Sequence, residues 1–220
     1  MPETWLPWAW VDCLKKLPRA RSAPRIAALI LAAGRSTRYG GSNKLLAELD
    51  GVPIVRRVAQ AALASRARPV VVVTGHQSDR VAEAVKGLDV QLVHNPNYAK
   101  GLSTSLKAGI GALPSQAEGA VVCLGDMPRI DASHIDRLIA AFAPKEGRLI
   151  ALPVHNGKRG NPVLFGRALF AEMMGAEGDT GARHIIGTHA DEVAEVDLGT
   201  DAIFADVDTP DALARLQQKP

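Results

Sequence analysis

The chemistry-bearing residues of this chain gather first on the segment Leu31-Ala-Ala-Gly-Arg-Ser-Thr-Arg-Tyr-Gly-Gly-Ser-Asn-Lys44. Gly34, Gly40 and Gly41 alternate there with Arg35, Arg38 and Lys44, directly after an apolar run. Glycines let main-chain amides approach phosphate oxygens, and the cations neutralise a polyphosphate. No Gly-Lys-Ser/Thr ends the segment, so it is not a Walker loop, and it lacks the Gly-x-Gly-x-x-Gly dinucleotide pattern. A basic, solvated turn is the plain alternative. A second feature is Asp126 in Leu124-Gly-Asp-Met-Pro128. A carboxylate at the end of a strand can hold Mg²⁺, which binds through few carboxylates together with substrate phosphates; a turn or helix-capping aspartate is the other reading. A third is Asp206-Val-Asp208-Thr-Pro210, where Asp208 could equally organise the start of a helix.

Two further loops are polar and glycine-rich: Gly157-Lys-Arg-Gly-Asn-Pro162 and Gly178-Asp-Thr-Gly-Ala-Arg183. Their cations, Lys158, Arg159 and Arg183, could bind an anionic acceptor, or the loops could be ordinary exposed turns. The histidines (His76, His94, His134, His155, His184, His189) show no metal-ligand spacing. Cys13 and Cys123 form neither a disulfide framework nor a paired metal motif. No Ser-His-Asp set is legible.

The elements that must position these residues follow from hydrophobic pattern. Runs at 26–33, 69–74, 90–93, 120–124, 149–153, 161–165 and 192–196 read as short strands. Between them lie helical stretches at 79–87, 103–113, 131–142, 167–174 and 182–188, and another that Pro53 opens. Thr209-Pro210 reads as an N-cap and first-turn pair for a last helix. Strands alternating with helices predict an α/β fold with a mostly parallel sheet. Ligands of such sheets bind at the carboxyl ends of the strands. The loops after residue 33, at 74–77, at 95–105 and at 125–128 are then expected on one edge.

A chain of 220 residues with 47% hydrophobic and 22% charged residues is globular in composition and fits one domain. The net charge of +3 lies wholly in residues 1–25, leaving 21 residues of each sign over 26–220. The body therefore has no polyanion-binding field, and nucleic acid is not expected as a partner. Trp5, Trp8 and Trp10 all fall in the first 24 residues. Their apolar stretch is too short to span a bilayer and has the wrong flanks for a signal peptide. The expected organisation is an N-terminal Trp-rich, basic extension over 1–24 and one domain over 25–220. The extension is read as packing on that domain, with a membrane-surface or partner-binding segment as the alternative. No transmembrane segment is expected, and a reducing cytoplasm is the simplest setting.

Taken together, Leu31-Ala-Ala-Gly-x-Ser-x-Arg-x-Gly with Lys44, Leu124-Gly-Asp-Met-Pro, Gly160-Asn-Pro-Val, Gly178-Asp-x-Gly-Ala-Arg and Asp206-x-Asp-Thr-Pro resemble the molybdenum cofactor nucleotidyltransferase family. The resemblance spans about residues 25–216 and favours the cytidylyl branch, because Ala33 and Asn43 stand where the guanylyl branch usually has Gly and Asp. It implies a single Rossmann-like, three-layer domain with a mixed sheet, a nucleotidyltransferase fold of the glycosyltransferase-A kind. It implies transfer of CMP from CTP to the terminal phosphate of molybdopterin, with release of pyrophosphate. By matching position, Leu31, Ala32, Ala33, Gly34, Arg35, Arg38 and Lys44 would cradle the triphosphate. Gly101, Ser103 and Ser105 would meet base and ribose. Asp126 and Asp208 would bind Mg²⁺, with Asp206 as the neighbouring alternative. Lys158, Arg159, Asn161, Asp179 and Arg183 are the expected acceptor contacts.

The expected chemistry is in-line attack of the acceptor phosphate on the α-phosphorus. Positioning and charge neutralisation by Arg35, Lys44, Asp126 and Mg²⁺ would suffice, with no general base. Three rivals share the nucleotide half or drop it: a guanylyltransferase, a transferase using a sugar-1-phosphate, and a non-catalytic molybdenum cofactor carrier. A molybdoenzyme or its chaperone is a further possible partner.

Overall fold

The computed structural model describes residues 24–178 and 182–218. The extension expected over 1–24 thus lies outside the described residues apart from Pro24, and so does Asp179.

β1 (Ile26–Ala32) shows why the sequence reads as an unbroken apolar run: every one of its residues is buried. Alternation sends Ile26, Ala28, Ile30 and Ala32 to one face of the sheet, and Leu29 and Leu31 to the other. A strand covered on both faces must be apolar throughout. A short hairpin, β2 (Glu48–Leu49) and β3 (Val52–Pro53), leads into α1 (Ile54–Ala64). Pro53 therefore sits just before the helix rather than inside its first turn. β4 (Val70–Thr74), α2 (Ser78–Ala84), β5 (Gln91–His94), α3 (Leu102–Gly111) and β6 (Gly119–Leu124) follow.

The second half holds α4 (Ala132–Ala141), β7 (Ile150–His155), β8 (Lys158–Arg159) and β9 (Val163–Gly166). It closes with α5 (Phe170–Gly175), α6 (Arg183–Thr188), β10 (Val193–Asp197) and α7 (Pro210–Gln218). The cap read at Thr209 acts as expected, and Asp131, the first residue of the stretch read as helical over 131–142, caps α4. Asp131 accepts from the His134 amide at 3.1 Å, and Thr209 Oγ1 accepts from the Ala212 amide at 3.2 Å.

The main sheet runs β10-β7-β9-β6-β1-β4-β5, with β8 paired to β7. β6, β1, β4 and β5 are parallel, whereas β9 is antiparallel to both β6 and β7. The sheet is mixed, and its parallel half carries the site. α1, α2 and α4 bury Val55, Val58, Val81, Ile135 and Leu138 on one face. α3, α5 and α6 bury Leu106, Ile110, Phe170, Met173 and Ile185 on the other. Three layers result, an α/β fold with a mostly parallel sheet. No helix among the described residues is long and apolar enough to cross a membrane.

Candidate active site

Because β1, β4, β5 and β6 are parallel, the loops that leave their carboxyl ends converge on one edge. The loops after β1, β5 and β6, joined by the 206–208 segment but not by the 74–77 turn after β4, enclose a cleft of about 520 Å³ lined by Leu31, Ala33, Gly34, Arg35, Thr37, Arg38, Lys44, Tyr98, Ala99, Gly101, Leu102, Ser105, Leu124, Asp126, Asp206 and Asp208. The first loop is held from beneath. Tyr39 is buried in a small cluster with Ile54 and Val207, against Leu213 and Leu216 of α7. A second anchor is Asn43, 3% exposed. Its Oδ1 accepts from the Leu45 amide at 3.1 Å and from Ser36 Oγ at 3.3 Å, while Nδ2 donates to His76 O at 3.5 Å. Ser36 Oγ in turn accepts from the Lys44 amide at 3.1 Å. These bonds close the loop on itself and aim Lys44 into the cleft. At Gly34 a Cβ would meet no protein atom within 4 Å, so the fold itself tolerates a side chain there and a glycine leaves the cleft open beside the backbone.

Asp126 and the 206–208 segment meet through the main chain: the Val207 amide donates to Asp126 O at 2.9 Å. Val207 is fully buried, which leaves Asp206 and Asp208 on either side of it to line the cleft. Lys44 Nζ donates to Asp126 Oδ2 and, at 2.6 Å, to Asp208 Oδ1. Arg38 takes the other oxygen of Asp208 at 2.7 Å. Burial works against the charge of Lys44, but Asp126 and Asp208 outweigh it and raise its pKa above the ordinary 10.5. Burial likewise opposes ionisation of Asp208, yet Lys44 and Arg38 hold its carboxyl below the usual range. Asp206 goes the other way, raised by burial and by the charges of Asp208 and Asp126.

Asp126 Oδ1 is buried and has no hydrogen-bond partner. An orphaned carboxylate oxygen in a polar cleft fits a cation ligand, since burying it unpaired is costly. Among the described residues no group of three or more His, Cys, Asp and Glu is arranged to hold a metal by protein donors alone. Two carboxylates with the remaining positions left to water and phosphate oxygens match the habit of Mg²⁺.

The expected nucleotide contacts divide. Leu31, Ala33, Gly34, Arg35, Arg38, Lys44, Gly101 and Ser105 line the cleft. Ala32 is instead wholly buried in the core facing α1 and α4, and Ser103 is buried with its amide donating to Gly178 O at 3.1 Å. The acceptor set divides too. Asn161 and Arg183 line a smaller pocket of about 230 Å³, walled by Leu106, Val122, Val163, Phe165 and Ile186. It adjoins the cleft through Leu31, Leu102 and Leu124, which line both. Lys158 and Arg159 line neither. They form the exposed β8, where Arg159 pairs with Glu195 at 2.7 Å. Thr37 and Tyr98, which line the cleft, and the buried Asn95 are not singled out by the sequence, although they fall in the first loop and in the 95–105 loop expected at this edge. Asn43 is singled out there as a branch marker only, and its burial is a finding of the fold.

The profile of the MobA-like NTP transferase domain family matches residues 28–193. The molybdenum cofactor cytidylyltransferase of Escherichia coli (strain K12) is 31% identical over 187 residues, 83% of this chain and 91% of that protein. A probable molybdenum cofactor guanylyltransferase of Natronomonas pharaonis is 28% identical over 197 residues, 87% of this chain and 96% of that one. Among solved structures, the Mycobacterium sp. strain JC1 homologue of Mycobacterium tuberculosis Rv0371c is 31% identical and superposes with a TM-score of 0.75, covering 88% of this chain and 95% of the other.

Proposed function

This chain belongs to the MobA-like NTP transferase family and is a nucleotidyltransferase; from that premise we propose that it transfers CMP from CTP to the terminal phosphate of molybdopterin. In that reaction an acceptor phosphate oxygen bonds to the α-phosphorus of CTP. The bond from the α-phosphorus to the bridging oxygen breaks, and pyrophosphate leaves with that oxygen and its electron pair. The acceptor phosphate is ionised at neutral pH, so no side chain has to remove a proton.

The observation that carries the reading is the bridge of Lys44 to both Asp126 and Asp208, all three lining the cleft. Lys44 and Arg35 would neutralise charge developing on the departing pyrophosphate. Asp126 and Asp208 are the residues that would hold Mg²⁺, which when bound shields the negative charge between attacking and leaving phosphates. Asn161 and Arg183, which line the smaller apolar pocket, would receive the acceptor. The choice of cytidine rests on Ala33 and Asn43, and the name of the Escherichia coli relative supports it. The Natronomonas relative's name favours a second reading, guanylyl transfer by the same residues.

The test is pyrophosphate release with CTP or GTP, each offered molybdenum cofactor or a sugar-1-phosphate. Release with CTP and molybdenum cofactor is expected, and Asp126→Ala should abolish it with an unaltered circular dichroism spectrum. A preference for GTP would transfer the assignment to the guanylyl reading. Release only with sugar phosphate, or a fully active Asp126→Ala enzyme, would overturn the acceptor or the metal assignment respectively.

A further inference from the structure

An amide side chain is buried just beyond β5. Asn95 is 2% exposed and its backbone amide extends the sheet by donating to Thr74 O at 2.8 Å. Its side chain is bonded at both ends. Nδ2 donates to Thr104 Oγ1 at 2.9 Å and to Ser105 Oγ at 3.0 Å, and Oδ1 accepts from the Asn97 amide at 2.9 Å. Thr104 Oγ1 also faces Asn97 O at 3.0 Å and Gly101 O at 2.9 Å. One side chain therefore ties the start of the 95–105 loop to its end at the first turn of α3.

Tyr98, Ala99 and Gly101, lying within that loop, line the cleft, and Ser105 lines it from α3. Asn95 itself does not. The packing beneath Tyr98 is equally specific: a Cβ at Gly75 would stand 2.6 Å from Tyr98 Cβ and 2.8 Å from Ala33 Cβ. The loop is thus pressed against Gly75 and stapled by Asn95. The cations of the cleft belong to another loop with another hub, Asn43, bonded to Ser36, Leu45 and His76. Each wall has its own buried asparagine as hub, and the two walls meet at Gly75 and His76.

We infer that Asn95 is a positioning residue for the nucleoside half of the site, acting through Thr104 and Ser105, and that the phosphate half does not depend on it. The inference rests on the nucleotidyltransferase reading given above. An amide suits the position because it donates to two hydroxyls and accepts from a backbone N–H at once, which neither a carboxylate nor an alkyl group can do. Losing it frees the 95–105 wall while Arg38 keeps its pair with Asp208 and Lys44 its bridge to Asp126 and Asp208. A ligand that is only phosphate should not register the change, whereas one that carries a nucleoside should.

Titration calorimetry of CTP and of inorganic pyrophosphate, each with Mg²⁺, tests this on the full chain. Asn95→Ala is expected to weaken CTP by about tenfold, the scale of one or two lost hydrogen bonds, and to leave pyrophosphate within about twofold. Thr104→Val removes the hydroxyl end of the same network without cutting the core, and is expected to show the same split if Asn95→Ala does not fold. CTP binding unchanged in Thr104→Val, or CTP and pyrophosphate weakened alike, would overturn the inference while the nucleotide reading stands. Absence of CTP binding by the unaltered protein would overturn both.

Discussion

Replacing Lys44 by methionine keeps a straight aliphatic stem and deletes the ammonium that joins Asp126 to Asp208. The side chains of Lys44 and Asp126 are each 15% exposed and that of Asp208 is 26% exposed, so solvent screens the loss only in part. Arg38 stays on Asp208 at 2.7 Å, and the damage therefore concentrates on Asp126. That carboxylate already has one unpartnered oxygen and would be left with two. Breaking a fully buried pair costs about 3–5 kcal/mol and a charge-assisted hydrogen bond about 1.5–3. With partial exposure and one surviving counter-ion, about 2–4 kcal/mol is expected. For a domain of this size that lowers Tm by roughly 5–12 °C in metal-free buffer.

The same arithmetic predicts how the variant responds to metal. Mg²⁺ at about a hundred times its dissociation constant contributes about 2.7 kcal/mol to whichever state binds it. In Lys44→Met Asp126 has no competing cation and Asp208 keeps only Arg38, so Mg²⁺ should restore most of the lost Tm. In the unaltered protein the same addition, without nucleotide, should move Tm much less. Differential scanning calorimetry in chelator and in Mg²⁺ reads both quantities. CTP-dependent pyrophosphate release, measured in parallel, should fall steeply in the variant. A Lys44→Met protein that melts with the parent in chelator, or that gains no more than the parent from Mg²⁺, would refute the electrostatic account of the site.

Two further outcomes follow from other parts of the fold. His189 places Nε2 at 2.8 Å from Glu172 and Nδ1 at 2.6 Å from Glu192, and those two hydrogen bonds raise its pKa above the ordinary 6.5. Its stabilisation should be complete below pH 6.5 and disappear as pH rises through the raised folded-state value; His189→Gln should flatten that decline in unfolding midpoint. Gly75→Ala would put a Cβ 2.6 Å from Tyr98 Cβ, an overpacking worth about 1–3 kcal/mol. It should lower Tm and weaken CTP binding together, and a variant with parental CTP affinity would mean that the Tyr98 wall does not bear on the nucleotide.

The parts of this protein legible in sequence are those whose physics is local. β1 and the four valines of β4 declare themselves because strands covered on both faces read as near-continuous apolar runs. Thr209 declares itself because a cap satisfies amides within one turn. The glycine-and-cation loop is legible in its residue types, and Asp126 in its position at the end of a strand whose parallel neighbours share an edge. The expected edge of four loops is the one observed, with β1, β4, β5 and β6 parallel.

Tertiary structure decided the rest. The antiparallel β9 carries no mark in its own composition, since strand direction is set by the neighbours it pairs with. Turn composition grouped Lys158 and Arg159 with Asn161, but strand pairing committed the first two to β8 and left the third at the pocket. Asn43 and Asn95 look like loop residues in sequence; only the fold buries them and makes each the hub of a wall. Lys44, Asp126 and Asp208 lie far apart along the chain and share one ion cluster because Val207 hydrogen-bonds to Asp126 and is buried against Tyr39 and Ile54. By itself the sequence determined which residues could do chemistry, because residue type and strand-end position are local properties. Which of them meet was decided by packing, because contact between distant segments is a property of the assembled core.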